Sequence, residues 1–416
     1  MTEPNSFHTA SPVQGSVKET WLLVSSQALV AWPMGFLMVV LPIYLKKVGI
    51  DPLWIGSFYT ISGIFASLFL IVLGPLLDRK RKKPFLLLGT ALPLLSFILL
   101  AFLRNPWAII IASALGGISF SSGIAGAFQG ATFSPLLMEK AGIEGSTKFF
   151  SYVTSTWLLS VTLGSLLGGL PDYLKMWGLS FDYAYRLSFF LCALFILLGA
   201  LVLLPIKERG VFFSRERNRL FSVKSKANQF IWKYGVTQAF IGLGAGFVVQ
   251  LLSLWFFLKF NVGEVQLAPW FAAANFAAML GAYLVPGMVG RRGKLFTVIS
   301  TQLLSAIFVV LIIATGNYQV AALFFLARTV LINMSWPAQN AFLMVSVPRE
   351  LRSSAASVSN AAFGFFSALS PLFGGWLMQS GYIDLPIALG AFCFFLSGSF
   401  FWLLFKRKGT EEGVGD

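Results

Sequence analysis

Long apolar runs separated by short polar breaks set the rhythm of this chain from residue 20 onward. Twelve runs can be delimited, near 20–44, 53–77, 84–103, 106–137, 150–170 and 185–205, then near 230–258, 265–287, 294–314, 319–346, 355–379 and 385–405. Each holds about 20 residues or more, enough to cross a bilayer as a helix. Turn signals mark several of the breaks, at Asn105-Pro106, Pro171-Asp172, Gly316-Asn317 and Gly381-Tyr382. The long charged break, Ile206 to Asn228, divides the runs into two sets of six. The expected organisation is therefore an N-terminal six-helix bundle with a short tail over 1–205, a linker over 206–228, a C-terminal six-helix bundle over 229–405 and a tail over 406–416. Residues 1–19 are polar, rich in Ser, Thr and Pro, and carry no cleavable signal pattern, so they are expected to stay on the mature chain.

Composition narrows the class. With 57% hydrophobic and 11% charged residues, the chain is too apolar for a soluble domain and reads as an all-α, polytopic membrane protein. The net charge of +15 would fit a nucleic-acid binder, but its distribution favours basic loops retained on the cytoplasmic side. Of the 31 Lys and Arg, 24 fall on one side if the N-terminus is inside: Lys18, the five at 79–83, Lys140, Lys148, seven from Lys207 to Lys226, Lys233, Arg291, Arg292, Lys294, Arg349, Arg352 and three from Lys406. Six fall on the other, namely Lys46, Lys47, Arg104, Lys175, Arg186 and Lys259, and Arg328 lies within a span. Both termini and the 206–228 linker are thus expected in the cytoplasm of a cell that carries the chain in its plasma membrane. Cys192 and Cys393 lie in apolar segments and His8 in a polar tail, so neither a disulfide nor a metal site is indicated.

One loop is specific enough to name a family. Gly74-Pro-Leu-Leu-Asp78-Arg79-Lys-Arg-Lys-Lys83 resembles the loop between helices 2 and 3 of the major facilitator superfamily, Gly-x-Leu-x-Asp-Arg-x-Gly-Arg-Arg/Lys. Gly74, Leu76, Asp78, Arg79, Lys82 and Lys83 fit the pattern, and Arg81 replaces a Gly that would enter positive φ freely. The loop recurs in degraded form as Gly287 to Lys294, with Arg291 at the Asp78 position. Gly35-Phe36 likewise recurs as Gly246-Phe247, and Tyr44-Leu45-Lys46 as Phe257-Leu258-Lys259, as parallel internal repeats require. Gly164-Ser165-Leu-Leu-Gly168-Gly169 pairs with Ser370-Pro371-Leu-Phe-Gly374-Gly375. Both resemble the Gly-Pro-x-x-Gly-Gly stretch of the superfamily's drug/proton antiporters, with Ser165 where those have Pro; small residues here would serve close helix approach. The turn Pro348-Arg349-Glu350-Leu-Arg352 also resembles the family's loop 10–11. The resemblance implies twelve helices in two pseudo-symmetric bundles, a monomer, a small-molecule substrate, H⁺ as a candidate coupling ion and no cofactor. It further implies that Asp78, at the unfavourable negative pole of helix 2, ties the bundles together near Arg79 and the start of helix 11 after Arg352.

Among residues that could carry chemistry, Arg328 stands about ten residues into segment 10, near mid-membrane. A charge there is costly and by default functional, expected to face a cavity. Ser335 and Gln339 share its face, and Trp336 lies nearby beside Pro337, which predicts a kink. Gln27, Gln129, Gln238 and Gln250 stand in segments 1, 4 and 7, which with 10 line the central cavity in the superfamily. Each also has the ordinary alternative of bonding a neighbouring helix. No carboxylate reads as buried within a helix: Asp51, Asp172, Asp182, Glu264 and Asp384 fall at outer ends. No nucleophile, acid pair or metal cluster marks an enzyme. The expected function is secondary transport of a small organic solute by alternating access, with efflux of an amphipathic or anionic compound as the leading reading. An uptake facilitator for an organic acid or sugar and a transporter-like membrane receptor are the alternatives.

Overall fold

The computed structural model describes residues 17–77, 81–103, 105–116, 123–208, 226–282, 284–348 and 351–411. These are helical with short connections, and no strand occurs among them. The first half comprises α1 (Val17–Lys47), α2 (Pro52–Leu77), α3 (Lys83–Phe102), α4 (Pro106–Leu115), α5 (Gly123–Leu166), a 3-10 turn (Leu167–Gly169), α6 (Leu170–Met176) and α7 (Phe181–Leu203). The second comprises α8 (Lys226–Val248), α9 (Leu252–Phe260), α10 (Glu264–Ala282), α11 (Val285–Arg292), α12 (Lys294–Ala314), α13 (Tyr318–Ser346), α14 (Arg352–Gln379) and α15 (Leu385–Glu411). Among the described residues ten helices are long and apolar enough to cross a membrane, eleven when α10 and α11 count as one bent span.

The remaining segment departs from the continuous helix expected over 106–137. Helix α4 stops at Gly116, with φ of 130°, and helix resumes at Gly123, with φ of 51°. Only residues without a Cβ adopt such angles freely, so these two glycines set the interruption. Asn105 and Asn317 start α4 and α13 by accepting hydrogen bonds from Trp107 and Gln319 N–H at 3.0 and 2.8 Å. Residues 209–225 of the expected linker lie outside the described residues.

The helices pack in two bundles. In the N-terminal bundle α1 lies on α5 and α7, α3 on α5 and α7, and α2 on α4 and α5; in the C-terminal bundle α8 lies on α14 and α15, α12 on α13 and α15, and α10 on α13. The bundles meet chiefly along two seams, α5 against α10 and α2 against α14, with smaller contacts of α1 against α9 and α10 and of α10 against the 3-10 turn and α6. The central helices carry the greatest burial, 78% of the apolar window in α1 and 67% in the α8–α9 span, against 33–44% in the other full spans. Peripheral helices present apolar surface outward, as with Leu187, Phe190, Leu194 and Leu201 on α7 and Phe392, Phe395 and Trp402 on α15. That surface suits hydrocarbon. Within the spans, hydroxyls of Thr90, Ser113, Thr132, Thr301 and Thr329 donate to carbonyls one turn earlier, which keeps them satisfied where water is scarce. The connections at 48–51, 177–180, 261–263 and 380–384 share one face with Lys47, and those at 81–82, 204–208 and 293 share the opposite face with Lys82.

Candidate functional site

Small residues fix how closely the central helices approach. A Cβ on Gly35 of α1 would strike the Val161 carbonyl of α5, and one on the repeat-related Gly246 of α8 would strike the Ser367 carbonyl and Ser370 hydroxyl of α14. Gly164 lies against the Trp32 backbone and Gly168 against the Val39 side chain, both on α1. In the second copy, Gly374 meets Leu251 beside the α8–α9 break, whereas Gly375 and the Pro371 carbonyl press across to Pro52 and Gly56 of α2. Gly63 of α2 meets Ala368, and Gly169 stands within 3.4 Å of the Val265 Cα of α10, measured from its would-be Cβ. Each copy thus packs on the first helices of its own bundle and also reaches across a seam, the N-terminal one through Gly169 to α10 and the C-terminal one through Pro371 and Gly375 to α2.

Polar contacts continue both seams to the Lys47 face. Asn275 of α10 donates to Ser165 at 3.1 Å, and Ser165 donates to the Gly35 carbonyl at 3.2 Å. Leu53 N–H donates to Gln379 Oε1 at 3.3 Å. At the surface, Lys47 Nζ hydrogen-bonds Glu264, reaches the Tyr185 hydroxyl at 3.3 Å and lies 3.7 Å from Asp172. Tyr185 donates to the other Glu264 oxygen. Asp172 pairs with Lys175 and accepts from Val265 N–H at 3.3 Å. Lys47, Asp172 and Tyr185 belong to the N-terminal bundle and Glu264 to the C-terminal one, so this ion-pair group spans the interface. Each charge suits its helix, since Lys47 ends α1 and Glu264 begins α10.

The expectation that no carboxylate is buried within a helix needs correction: Glu264 does begin α10, as read, but it is buried, and so is Glu139 within α5. Glu264 is 0% exposed because the end of α1, the start of α7 and the start of α10 converge on it. A repeat signal was available. Lys259 and Asp384, each 212 residues after Lys47 and Asp172 and so one residue out of register with the Lys46–Lys259 match, form the corresponding pair in the second half at 3.0 Å. There Lys259 also donates to the Ile313 carbonyl and stacks on Trp255. Glu264, with the neighbouring Val265 N–H on Asp172, turns the first copy into a link between bundles.

The polar stripe of α13 faces elsewhere than anticipated. Arg328 is 2% exposed, and its guanidinium lies 4.9 Å from the ring centre of Phe394 on α15. Helix α15 packs on α8 and α12, on the far side of the bundle from the seams. Arg328 therefore points into the C-terminal bundle and not between the bundles. Ser335 and Gln339 follow it inward: Gln238 of α8 donates to Gln339 Oε1 at 2.7 Å, Gln339 donates to Ser335 at 2.7 Å, and the Tyr234 hydroxyl donates to the Gln339 carbonyl. This chain fastens α8 to α13. The opposite side of α13 carries exposed Asn333, Trp336 and Asn340, with Trp336 edge-on to Phe363 of α14.

The other expected residues scatter. Gln27 is buried in α1, and Gln129 donates to the Gly89 carbonyl of α3 at 3.4 Å. Gln250 sits in the α8–α9 break, its Oε1 buried without a hydrogen bond among the described residues. Gly74 lies in the last turn of α2 and Arg352 opens α14; Asp78 and Arg79 lie outside the described residues.

Residues 23–371 match the family model of the Major Facilitator Superfamily. The chain belongs to that family. Superfamily members are transporters, not enzymes, and this chain is a multi-pass integral membrane transporter. It is similar to a multidrug resistance protein MdtG of Escherichia fergusonii, at 27% identity over 277 residues, covering 61% of this chain and 64% of that relative. The chain thus spans a little under two thirds of that relative's length. It is also similar to an MdtG of Proteus mirabilis, at 22% identity over 394 residues, covering 89% and 92%. Among solved superfamily structures, the nucleoside transporter NupG superposes with a TM-score of 0.73 at 12% identity, covering 93% of this chain and all of that one. A bacterial homologue of the iron transporter ferroportin, in an inward-facing state, superposes with a TM-score of 0.73 at 14% identity, covering 92% and 98%. At those identities the likeness establishes the superfamily fold alone.

Proposed function

We propose that this superfamily transporter expels a small amphipathic organic compound from the cell by alternating access, with the Lys47 face outside and both termini in the cytoplasm. The observation that carries this reading is the run of contacts between bundles. It extends from the Lys47–Glu264 group down the α5–α10 and α2–α14 seams as far as Asn275–Ser165 and Gly63–Ala368. Two rigid bundles held together in one half of the membrane can exchange to the other arrangement by rocking about the middle. Exposed polar side chains in the opposite half, Ser151, Thr154 and Ser155 on α5 with Asn333 and Asn340 on α13, are poorly suited to lipid and well suited to a wet cavity. Trp336 on that side of α13 would give an apolar, π-rich wall for an amphipathic solute.

Efflux is favoured by the multidrug resistance relatives. Arg328 supplies no support for an anionic substrate, because it faces α15. Proton coupling would run through Glu264, whose carboxylate faces Lys47, Tyr185 and, beyond them, Asp172: a proton on Glu264 weakens the interbundle ion pair and releases the outer face.

The reading is tested with purified protein in liposomes, following fluorescent amphipathic dyes, labelled organic acids and sugars under imposed pH and potential gradients. Dye flux driven by a proton gradient is the expected result. Downhill flux of a sugar or organic acid, indifferent to pH and without dye transport, would replace efflux by the uptake-facilitator reading.

A further inference from the structure

Arg328 is a buried cation with no acid beside it among the described residues. Its guanidinium stacks on Phe394, and its Nε is buried without a hydrogen-bond partner. Two side chains on the neighbouring helix α12 share that condition. Gln302 has both amide atoms buried and unbonded, and Ser305 its hydroxyl; both residues are 0% exposed. Other buried polar groups of this bundle are paired, as in the Gln238–Gln339–Ser335 chain and the bond from Ser397 to the Thr237 carbonyl, or stand unpaired singly, as do Gln250, Ser253, Arg352 and Ser370. What distinguishes Arg328 is a buried charge together with two unpaired side chains, Gln302 and Ser305, on one helix packed against its own.

Topology brings Ser305 and Arg328 to one depth, with Gln302 just under a turn away on the same helix as Ser305. Helices α12 and α13 run antiparallel about the turn at 315–317, with Ser305 and Arg328 each roughly 15 Å from it along their helices. Helix α15 joins them from the third side. The Cβ of Gln302 lies 3.5 Å from where a Cβ on Gly398 would stand, and Phe394 is one turn from Gly398 on the same face of α15. Because α15 is antiparallel to α12, a step from Gln302 to Ser305 moves towards the level of Phe394.

The chemistry available at this point is donation. A guanidinium with its face on an aromatic ring keeps its in-plane N–H groups for a ligand, and Gln302 Nε2 and Ser305 Oγ add two further donors. A buried charge is stable only when paired, and a neutral donor set centred on a cation selects an anion. The geometry points to a site for one small monovalent inorganic anion, such as chloride, inside the C-terminal bundle between α12, α13 and α15, held by Arg328, Gln302 and Ser305. Bound there, the anion fastens the three helices and removes Arg328 from substrate recognition.

The test uses the purified full-length chain. Chloride is titrated against gluconate at constant ionic strength while the melting temperature is followed, and crystals are grown or soaked with bromide. The expected result is a saturable rise in melting temperature with chloride, bromide or nitrate, together with an anomalous bromide peak at the Arg328 guanidinium. Ser305→Ala should need about tenfold more chloride for the same rise, the loss of one hydrogen bond to a charged group. Arg328→Gln should show no rise. A wild-type melting temperature indifferent to anion identity, with no bromide peak, would mean that water alone meets these groups and would overturn the site. So would an Arg328→Gln response equal to the wild type's. If Arg328→Gln does not fold, the Ser305→Ala midpoint and the bromide peak decide: an unshifted midpoint without a peak overturns the site.

Discussion

Replacing Glu264 with Gln removes the one charge that the C-terminal bundle contributes to the Lys47 group while keeping its shape and its capacity to bond Tyr185. Two unit charges about 4 Å apart interact by roughly 4 kcal/mol at an effective dielectric constant near 20. The net effect on the seam is much smaller, because Asp172, 3.7 Å from Lys47 in the same bundle, compensates Lys47 whether the seam is open or closed, and Lys47 itself is 21% exposed and partly screened. A net loss near 1.4 kcal/mol, the low end for a bond to a charged group, would move the open-to-closed ratio of the Lys47 face about tenfold. Ala268 reports that ratio well. It lies one turn below Glu264 on the same face of α10 and is 2% exposed. In a Cys192→Ala, Cys393→Ala background, Ala268→Cys should react with an impermeant maleimide about tenfold faster when Glu264 is Gln. Lys47→Met should give a similar gain, and the double variant less than the sum of both. An unchanged labelling rate in a folded Glu264→Gln protein would refute the claim that this group holds the bundles together.

Other consequences are local. Gly246→Val should lower stability by at least about 1–3 kcal/mol, because its side chain would meet the Ser367 carbonyl, whereas Gly287→Ala, with open space around it, should leave the melting temperature unchanged. Gln238→Leu should cost about 1–3 kcal/mol by stranding the buried Gln339 amide, and pairing it with Gln339→Leu should recover part of the loss in a melting series. In intact cells an impermeant thiol reagent should label Trp177→Cys, at a site 77% exposed on the Lys47 face, and spare Ser214→Cys in the expected cytoplasmic linker; the reverse pattern would invert the proposed orientation.

Much of the fold was legible because spans declare themselves by length and apolarity, and the break at 106–137 was missed because glycines inside an apolar run do not change its hydropathy. The repeat of Gly35 as Gly246 was visible in the sequence, and the structure gives it a packing meaning against α5 and α14. Helical direction was harder. Spacing shows that Arg328, Ser335 and Gln339 share a face of α13, but only the neighbours Phe394 and Gln238 show that this face turns into the bundle. Glu264 was misread for a related reason. Its position at a helix start is readable, while its burial depends on Lys47 and Tyr185 arriving from more than 75 residues away in the chain. Interfaces between bundles are long-range by construction, and periodicity carries no information about them.

Alternating access requires the Lys47 face to open and close for each molecule moved. Leu53 and Gln379, in hydrogen-bond contact across the α2–α14 seam, allow that motion to be blocked. With both replaced by Cys in a background lacking Cys192 and Cys393, a short bifunctional thiol reagent should bridge the seam and hold the face shut. Transport of the solute found in the liposome panel should then fall to background and return on reduction of the bridge. Full transport through the cross-linked protein would contradict alternating access by these two bundles.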